Sequence, residues 1–98
     1  MPEMTFTVRW PDGATQECYS PSLVMHDYLA DAASYPVADF MSRAVTALTQ
    51  ASERVKAKYG MYCTSAAAQI DALQHSSNRY QDGDVTVLAM TPGREALS

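Results

Sequence analysis

Alternating apolar and polar side chains predict a β-strand at residues 4–10, near the start of the chain. Met4, Phe6, Val8 and Trp10 occupy every second position and would share one face. The Pro11-Asp12-Gly13 sequence that follows favours a three-residue hairpin loop, because it combines a preset φ with a residue free to adopt positive φ.

A hairpin closed by this loop fixes the register of the second strand. It sets Phe6 opposite Cys18 and Thr7 opposite Glu17. Cys18 would then lie on the core face and Tyr19 on the outer face.

Apolar residues at steps of three and four predict one long helix over residues 36–60. Its stripe comprises Val37, Phe40, Met41, Ala44, Leu48, Ala51, Val55 and Tyr59. Pro36 suits the first turn, and Gly60 suits a left-handed cap. At about 1.5 Å per residue this helix would be about 36 Å long, so its C-terminal end would overhang the sheet.

Three further segments complete the predicted fold. Residues 23–29 remain ambiguous, either a short helix capped by Ser22 or an extended edge. A second amphipathic helix follows residue 63, with a stripe of Ala66, Ile70, Leu73, Ser77 and Tyr80. Residues 84–90 read as a strand, and residues 92–98 as a frayed tail.

These elements predict a single α+β domain spanning residues 1–98, with an ordered core at about 4–91. In β-β-α-α-β order they would form a two-layer sandwich, with an antiparallel helix pair on one face. Short connections favour a three-stranded mixed sheet in the order second, first, third, whose last strand runs parallel to the first.

Composition narrows the classes of function. A net charge of −4 over 98 residues disfavours binding to nucleic acid or to an anionic membrane. No apolar run approaches the ~20 residues of a membrane span, and residues 1–10 do not resemble a signal peptide. We therefore expect a cytoplasmic protein. Its two cysteines do not form a disulfide scaffold.

Three segments taken together carry a family resemblance: residues 6–13 (FTVRWPDG), 18–29 (CYSPSLVMHDYL) and 34–60. In this order they resemble a small bacterial family of nitrogen-starvation-response proteins encoded beside a nitrilase in a conserved gene cluster. The resemblance implies expression tied to nitrogen limitation, with a radical-SAM protein, an acetyltransferase-like protein and a flavoprotein among the neighbours. It implies no particular activity and no catalytic residues.

Two groups of side chains are candidates for binding. Residues 19–28 form the densest polar and aromatic cluster, which either lines a groove or only forms turns and caps. Arg54 and Lys58, one helical turn apart, form either a patch for an anion or partner or simply a complement to the helix dipole. The candidate binding residues are Tyr19, Ser20, Ser22, His26, Arg54, Lys58 and Cys63.

The cysteines and histidines do not predict a metal site. The spacing of Cys18, His26, Cys63 and His75 matches no zinc pattern, and we expect no cofactor. Cys63, at the start of the second helix, could have a lowered thiol pKa, although a structural role is favoured.

Two functions remain open. The first is a non-catalytic accessory protein that binds a partner, such as a product of the same nitrilase gene cluster. The alternative is a small enzyme or small-molecule-binding protein that uses residues 19–28 and Cys63. The first is favoured because no catalytic triad, phosphate loop or helically spaced carboxylate pair is evident.

The last strand predicts self-association. Its side chains are apolar on both faces, with Val85, Val87 and Ala89 on one and Leu88 and Met90 on the other. The predicted order leaves this strand at an unguarded sheet edge. We expect a two-fold homodimer with Val85, Val87, Leu88 and Met90 at or near the interface.

Overall fold

The computed structural model describes residues 3–60 and 64–91. Its elements are β1 (Met4–Arg9), β2 (Thr15–Ser20), a 3-10 helix (Leu23–Asp27), β3 (Ser34–Pro36), α1 (Val37–Tyr59), α2 (Thr64–Ser77) and β4 (Asp84–Thr91). The predicted α+β class with two helices is confirmed. The frayed tail predicted at residues 92–98 lies outside the described residues.

The sheet differs from the predicted one. The described residues form four strands in the order β2-β1-β4-β3, and every neighbouring pair is antiparallel. The predicted three-stranded mixed sheet is therefore wrong, although β4 does lie beside β1. Because β3 inserts one more chain reversal before α1, β4 enters the sheet in the opposite direction.

The first hairpin has the predicted register. Phe6 pairs with Cys18, Thr7 with Glu17, and Thr5 with Tyr19 on the outer face. The Trp10 N–H donates to the Ala14 carbonyl at 2.8 Å and closes the loop. Cys18 is buried on the core face, as the alternation predicted.

A β-bulge changes which side chains of β4 face the core. Val8 pairs with Val87 but Thr7 pairs with Ala89, so Leu88 is an extra residue opposite β1. The shift in phase buries Met90 on the same side as Val85 and Val87, while Leu88 is 41% exposed. Strict alternation had placed Met90 with Leu88 on the other face, and that prediction is wrong.

The edge assumed for β4 is also half covered. β3 pairs with residues 84–86, and Val87 exchanges hydrogen bonds of 2.9 Å with Ala32 and Ala33. Three of the four residues proposed for a dimer interface, Val85, Val87 and Met90, therefore lie in the core of one chain.

Helix α1 follows its predicted stripe as far as Ala51. Its buried residues are Val37, Phe40, Ala44, Ala47, Leu48 and Ala51. Gly60 caps it with φ 80, and the Gly60 N–H donates to the Lys56 carbonyl at 2.7 Å. Beyond Ala51 the stripe leaves the core: Val55 is half-buried and Tyr59 is 62% exposed.

The ambiguous segment after β2 is helical. Ser22 is the N-cap of the 3-10 helix, and its Oγ accepts a hydrogen bond from the Val24 N–H at 3.3 Å. The 3-10 helix buries Val24 and Met25 and packs against α1. The helical alternative is thus the correct one.

The turn before β4 depends on the absence of a side chain at Gly83. A Cβ there would lie 2.7 Å from the Pro11 Cβ, whereas Gly13, with a similar φ of 92, has open space around it. Both Gly83→Ala and Gly13→Ala would strain a positive φ. We expect Gly83→Ala to lower the free energy of unfolding by a further ~1–3 kcal/mol, because it also overpacks the Pro11 contact. Thermal unfolding of the two variants measures this difference, and equal melting temperatures would contradict it.

Candidate functional site

Two serines of the predicted cluster shape the chain between β2 and the 3-10 helix. The Ser20 Oγ donates to the Ser22 carbonyl at 2.8 Å and accepts from the Ser22 N–H at 3.4 Å. Both side chains are buried, Ser20 at 0% and Ser22 at 4% exposure. Their contacts are those of the turn-forming and capping interpretation.

His26 and Tyr28 lie in and directly after the 3-10 helix, which packs against α1. His26 is buried within the 3-10 helix. Tyr28 is half-buried: its carbonyl accepts from Arg43 Nη1 at 3.0 Å, and its hydroxyl accepts from the Gln50 side-chain amide. Tyr28 therefore attaches the loop after β2 to α1.

Arg43 is central to this attachment, although the sequence pattern did not mark Arg43 as a candidate. Its Nε lies 3.0 Å from Asp39 Oδ2, and its guanidinium carbon lies 4.8 Å from the centre of the Tyr35 ring. Tyr35 in turn accepts the Ala30 N–H on its hydroxyl at 2.9 Å. The i, i+4 spacing of Asp39 and Arg43 is visible in the sequence, but the contacts with the loop depend on the tertiary fold.

The C-terminal end of α1 presents the predicted basic residues to solvent. Arg54 and Lys58 are exposed, and Lys58 Nζ lies 5.6 Å from the centre of the Tyr59 ring. Arg54 Nη1 is 3.5 Å from Ser22 Oγ, so this end of the helix meets the cap of the 3-10 helix. Cys63 lies outside the described residues.

Tyr19 is the cluster residue that borders an open groove. The groove lies between β2 and α2 and is lined by Glu3, Tyr19, Ser65, Ala68, Gln69 and Ala72. The Tyr19 N–H donates to Gln69 Oε1 at 2.9 Å, and the Tyr19 hydroxyl donates to Glu3 Oε2 at 3.1 Å. Nothing in the sequence marked Gln69 as the partner of a strand 50 residues away.

The described residues contain neither a cluster of metal ligands nor a helix that could cross a membrane. In residues 3–60 and 64–91, His, Cys, Asp and Glu nowhere gather in groups of three or more that could hold a metal ion. Neither helix in those ranges is long and apolar enough to cross a membrane.

The environment of Cys18 makes its thiol a weaker acid than an ordinary cysteine thiol. Burial raises the pKa of Cys18 from 9.0 to about 12, and the Glu17 carboxylate adds to the effect. Above pH 9 the unfolded chain would lose this proton while the native chain keeps it. Cys18 therefore lowers the free energy of unfolding as the pH rises from 9 towards 12.

The same burial predicts an unreactive thiol. In a Cys63→Ser variant, Cys18 is the one remaining cysteine, and we expect the native protein at pH 8 to react far more slowly with a thiol reagent than the unfolded chain. Thiol titration with and without denaturant measures the two rates, with free cysteine as the control. Equal rates would show that the Cys18 thiol is accessible in the native state.

Comparison with known proteins adds a family. The family model described as "Nitrogen starvation-induced protein NitG" matches residues 5–90, which include every described strand and helix except the first and last residues of the sheet. No curated protein and no solved structure matches the chain.

Proposed function

We propose that this chain, which belongs to the nitrogen starvation-induced protein NitG family, is a non-catalytic accessory protein that acts by binding another protein. In this proposal it works in the bacterial cytoplasm during nitrogen limitation. Its partner would be a product of a nitrilase gene cluster.

The observation that carries the proposal is the exposed end of α1. Tyr59 has more of its surface exposed than any other large apolar side chain among the described residues. Lys58 lies over its ring, and Arg54 and Lys56 are exposed on the preceding turns. An aromatic side chain flanked by basic groups is typical of the residues that dominate protein interfaces.

The charge of this end indicates the character of the partner. Arg54, Lys56 and Lys58 are three of the seven basic residues in a chain whose net charge is −4. A partner with an acidic surface would be attracted to this end and repelled by much of the remaining surface.

The alternative function has less support in the described residues. Ser20, Ser22 and His26 are buried and belong to the turn and the 3-10 helix. A small-molecule site would therefore have to rely on Tyr19 and Cys63.

Affinity capture from nitrogen-starved cells tests the proposed binding. We expect a Lys58→Glu, Tyr59→Ala variant to lose captured partner about tenfold or more relative to the parent, because it removes the central contacts of the surface. Both side chains are exposed, so circular dichroism should be unchanged.

Arg9→Glu is the matched control, since it makes the same charge change at an exposed position on β1. The proposal is wrong if the parent captures nothing beyond a tag-only control. It also fails if the α1 variant and the parent capture equally.

We also propose a homodimer, whose interface has fewer residues of β4 than the sequence predicted. Leu88 is exposed at the bulge, and β3 pairs with only the first part of β4. A second copy would cover Leu88 and the uncovered edge of residues 88–91. A specific interface of this kind should bury at least ~1,000 Å² in total.

Light scattering at micromolar concentration tests this assembly. We expect a dimer for the parent and a monomer for Leu88→Lys, because a charge would be buried at the contact. Thr49→Lys, at an exposed position on α1, should remain dimeric. A monomeric parent would remove the second copy from the proposal.

A further inference from the structure

The outer edge of β2 carries backbone groups that point away from the sheet. Trp10 pairs with Ala14 through a backbone hydrogen bond. The backbone N–H and C=O groups of the even-numbered residues of β2 therefore point towards β1. The N–H and C=O groups of Thr15, Glu17 and Tyr19 therefore point outward. The bond from the Tyr19 N–H to Gln69 shows this direction directly.

The two edges of the sheet are protected to different degrees. β3 has three residues and ends in a proline, which is a usual defence of an edge. β2 has six residues, without proline or lysine, and no described strand pairs with its outer side. Its protection among the described residues is the Glu17 charge and the Gln69 side chain.

The groove beside the Tyr19 end of this edge is bordered by small side chains of α2. Ser65, Ala68 and Ala72 line its α2 side with small side chains. Gln69 Oε1 occupies the position at Tyr19 that the carbonyl of a paired strand would occupy. An incoming strand could displace the Gln69 side chain and replace its hydrogen bond to the Tyr19 N–H.

The charges around the groove favour an incoming strand that carries a basic side chain. Glu3 borders the groove, Glu17 is exposed on β2, and no basic residue is among the described lining residues. Arg9 lies across from Thr15 at the other end of the strand. A basic side chain of an added strand would therefore be favoured opposite Glu17 and disfavoured near Thr15.

We propose that the groove between β2 and α2 binds an extended segment of a partner protein, which adds to the β2 edge as a fifth strand and places a basic side chain beside Glu17. Backbone hydrogen bonds supply affinity in this type of recognition, and side-chain pockets supply specificity. The inference rests on the proposed protein-binding function, but it uses a different surface from the end of α1. Failure here would leave the capture experiment on Lys58 and Tyr59 unaffected.

A second copy of the chain is a poorer occupant of this edge. In a two-fold pair of β2 strands centred on Glu17, that carboxylate would lie opposite its own copy, and like charges in this position are destabilising. The experiment includes this possibility as a contrary outcome.

Two synthetic peptides serve as probes, the acetylated hexapeptides TVKVTV and TVEVTV, titrated into the isotope-labelled full chain by NMR. We expect TVKVTV to shift the backbone amides of Thr15, Glu17 and Tyr19 and the side-chain amide of Gln69. TVEVTV should bind about fivefold more weakly, as expected for one cross-strand charge pair reversed in sign. Glu17→Lys should invert the preference.

Ala68→Trp and Ala67→Trp form a matched pair of variants on α2. Both residues are exposed, but only Ala68 is among the groove-lining residues. We expect Ala68→Trp to abolish the shifts and Ala67→Trp to bind like the parent.

Three results would overturn the inference. The first is the absence of shifts on β2 at millimolar TVKVTV, or shifts confined to other elements. The second is equal affinity for the two peptides in both the parent and Glu17→Lys. The third is light scattering that shows a parent dimer dissociated by Ala68→Trp but not by Ala67→Trp, which would assign the edge to a second copy.

Discussion

The packing of Trp10 holds the two layers of this small domain together. Its ring stacks on Tyr80 at a centroid distance of 5.4 Å and meets Phe40 of α1 edge-on at 5.7 Å. Its Nε1–H donates to Gln16 Oε1 at 2.9 Å, and the same oxygen accepts from Ser76 Oγ at 2.9 Å. A large aromatic side chain with a satisfied N–H thus joins the hairpin directly to α1, and through Gln16 to α2.

The contacts around Trp10 fix one end of the molecule and leave the other end for binding. Gly83 abuts Pro11 of the hairpin loop, and its carbonyl accepts the Val37 N–H at 3.1 Å, where α1 begins. Helix α1 therefore starts at the Trp10 end, and its exposed C-terminus lies about 34 Å further along, at 1.5 Å per residue. Tyr19 is likewise at the end of β2 away from the hairpin loop. Both candidate binding surfaces therefore lie away from the contacts around Trp10.

Local periodicity predicted the elements whose own side chains define a buried face. The hairpin register and the stripe of α1 as far as Ala51 are of this kind. Periodicity did not predict β3, because the segment Ser34–Pro36 is too short and too polar to form a strand without β4 as a partner. Missing this strand reversed the predicted direction of β4. The bulge at Leu88 is equally non-local, since its evidence is the change of partner between Thr7 and Val8 on β1.

The alternation along β2 also explains which of the polar candidate residues reach the groove. Neighbouring residues of a strand face opposite sides, so Tyr19 and Ser20 could never have lined one groove together. Alternation from Cys18 assigns Ser20 to the core side, where it is buried, and Tyr19 to the outer side, where it reaches the groove. Ser22 and His26 are buried because Ser22 caps the 3-10 helix that contains His26, and this helix packs against α1. The four candidate binding residues of this cluster thus divide into three buried structural residues and Tyr19, which reaches the groove. In a domain without a described enclosed site, binding chemistry then falls to sheet edges and helix ends, where backbone groups and long side chains remain in contact with solvent.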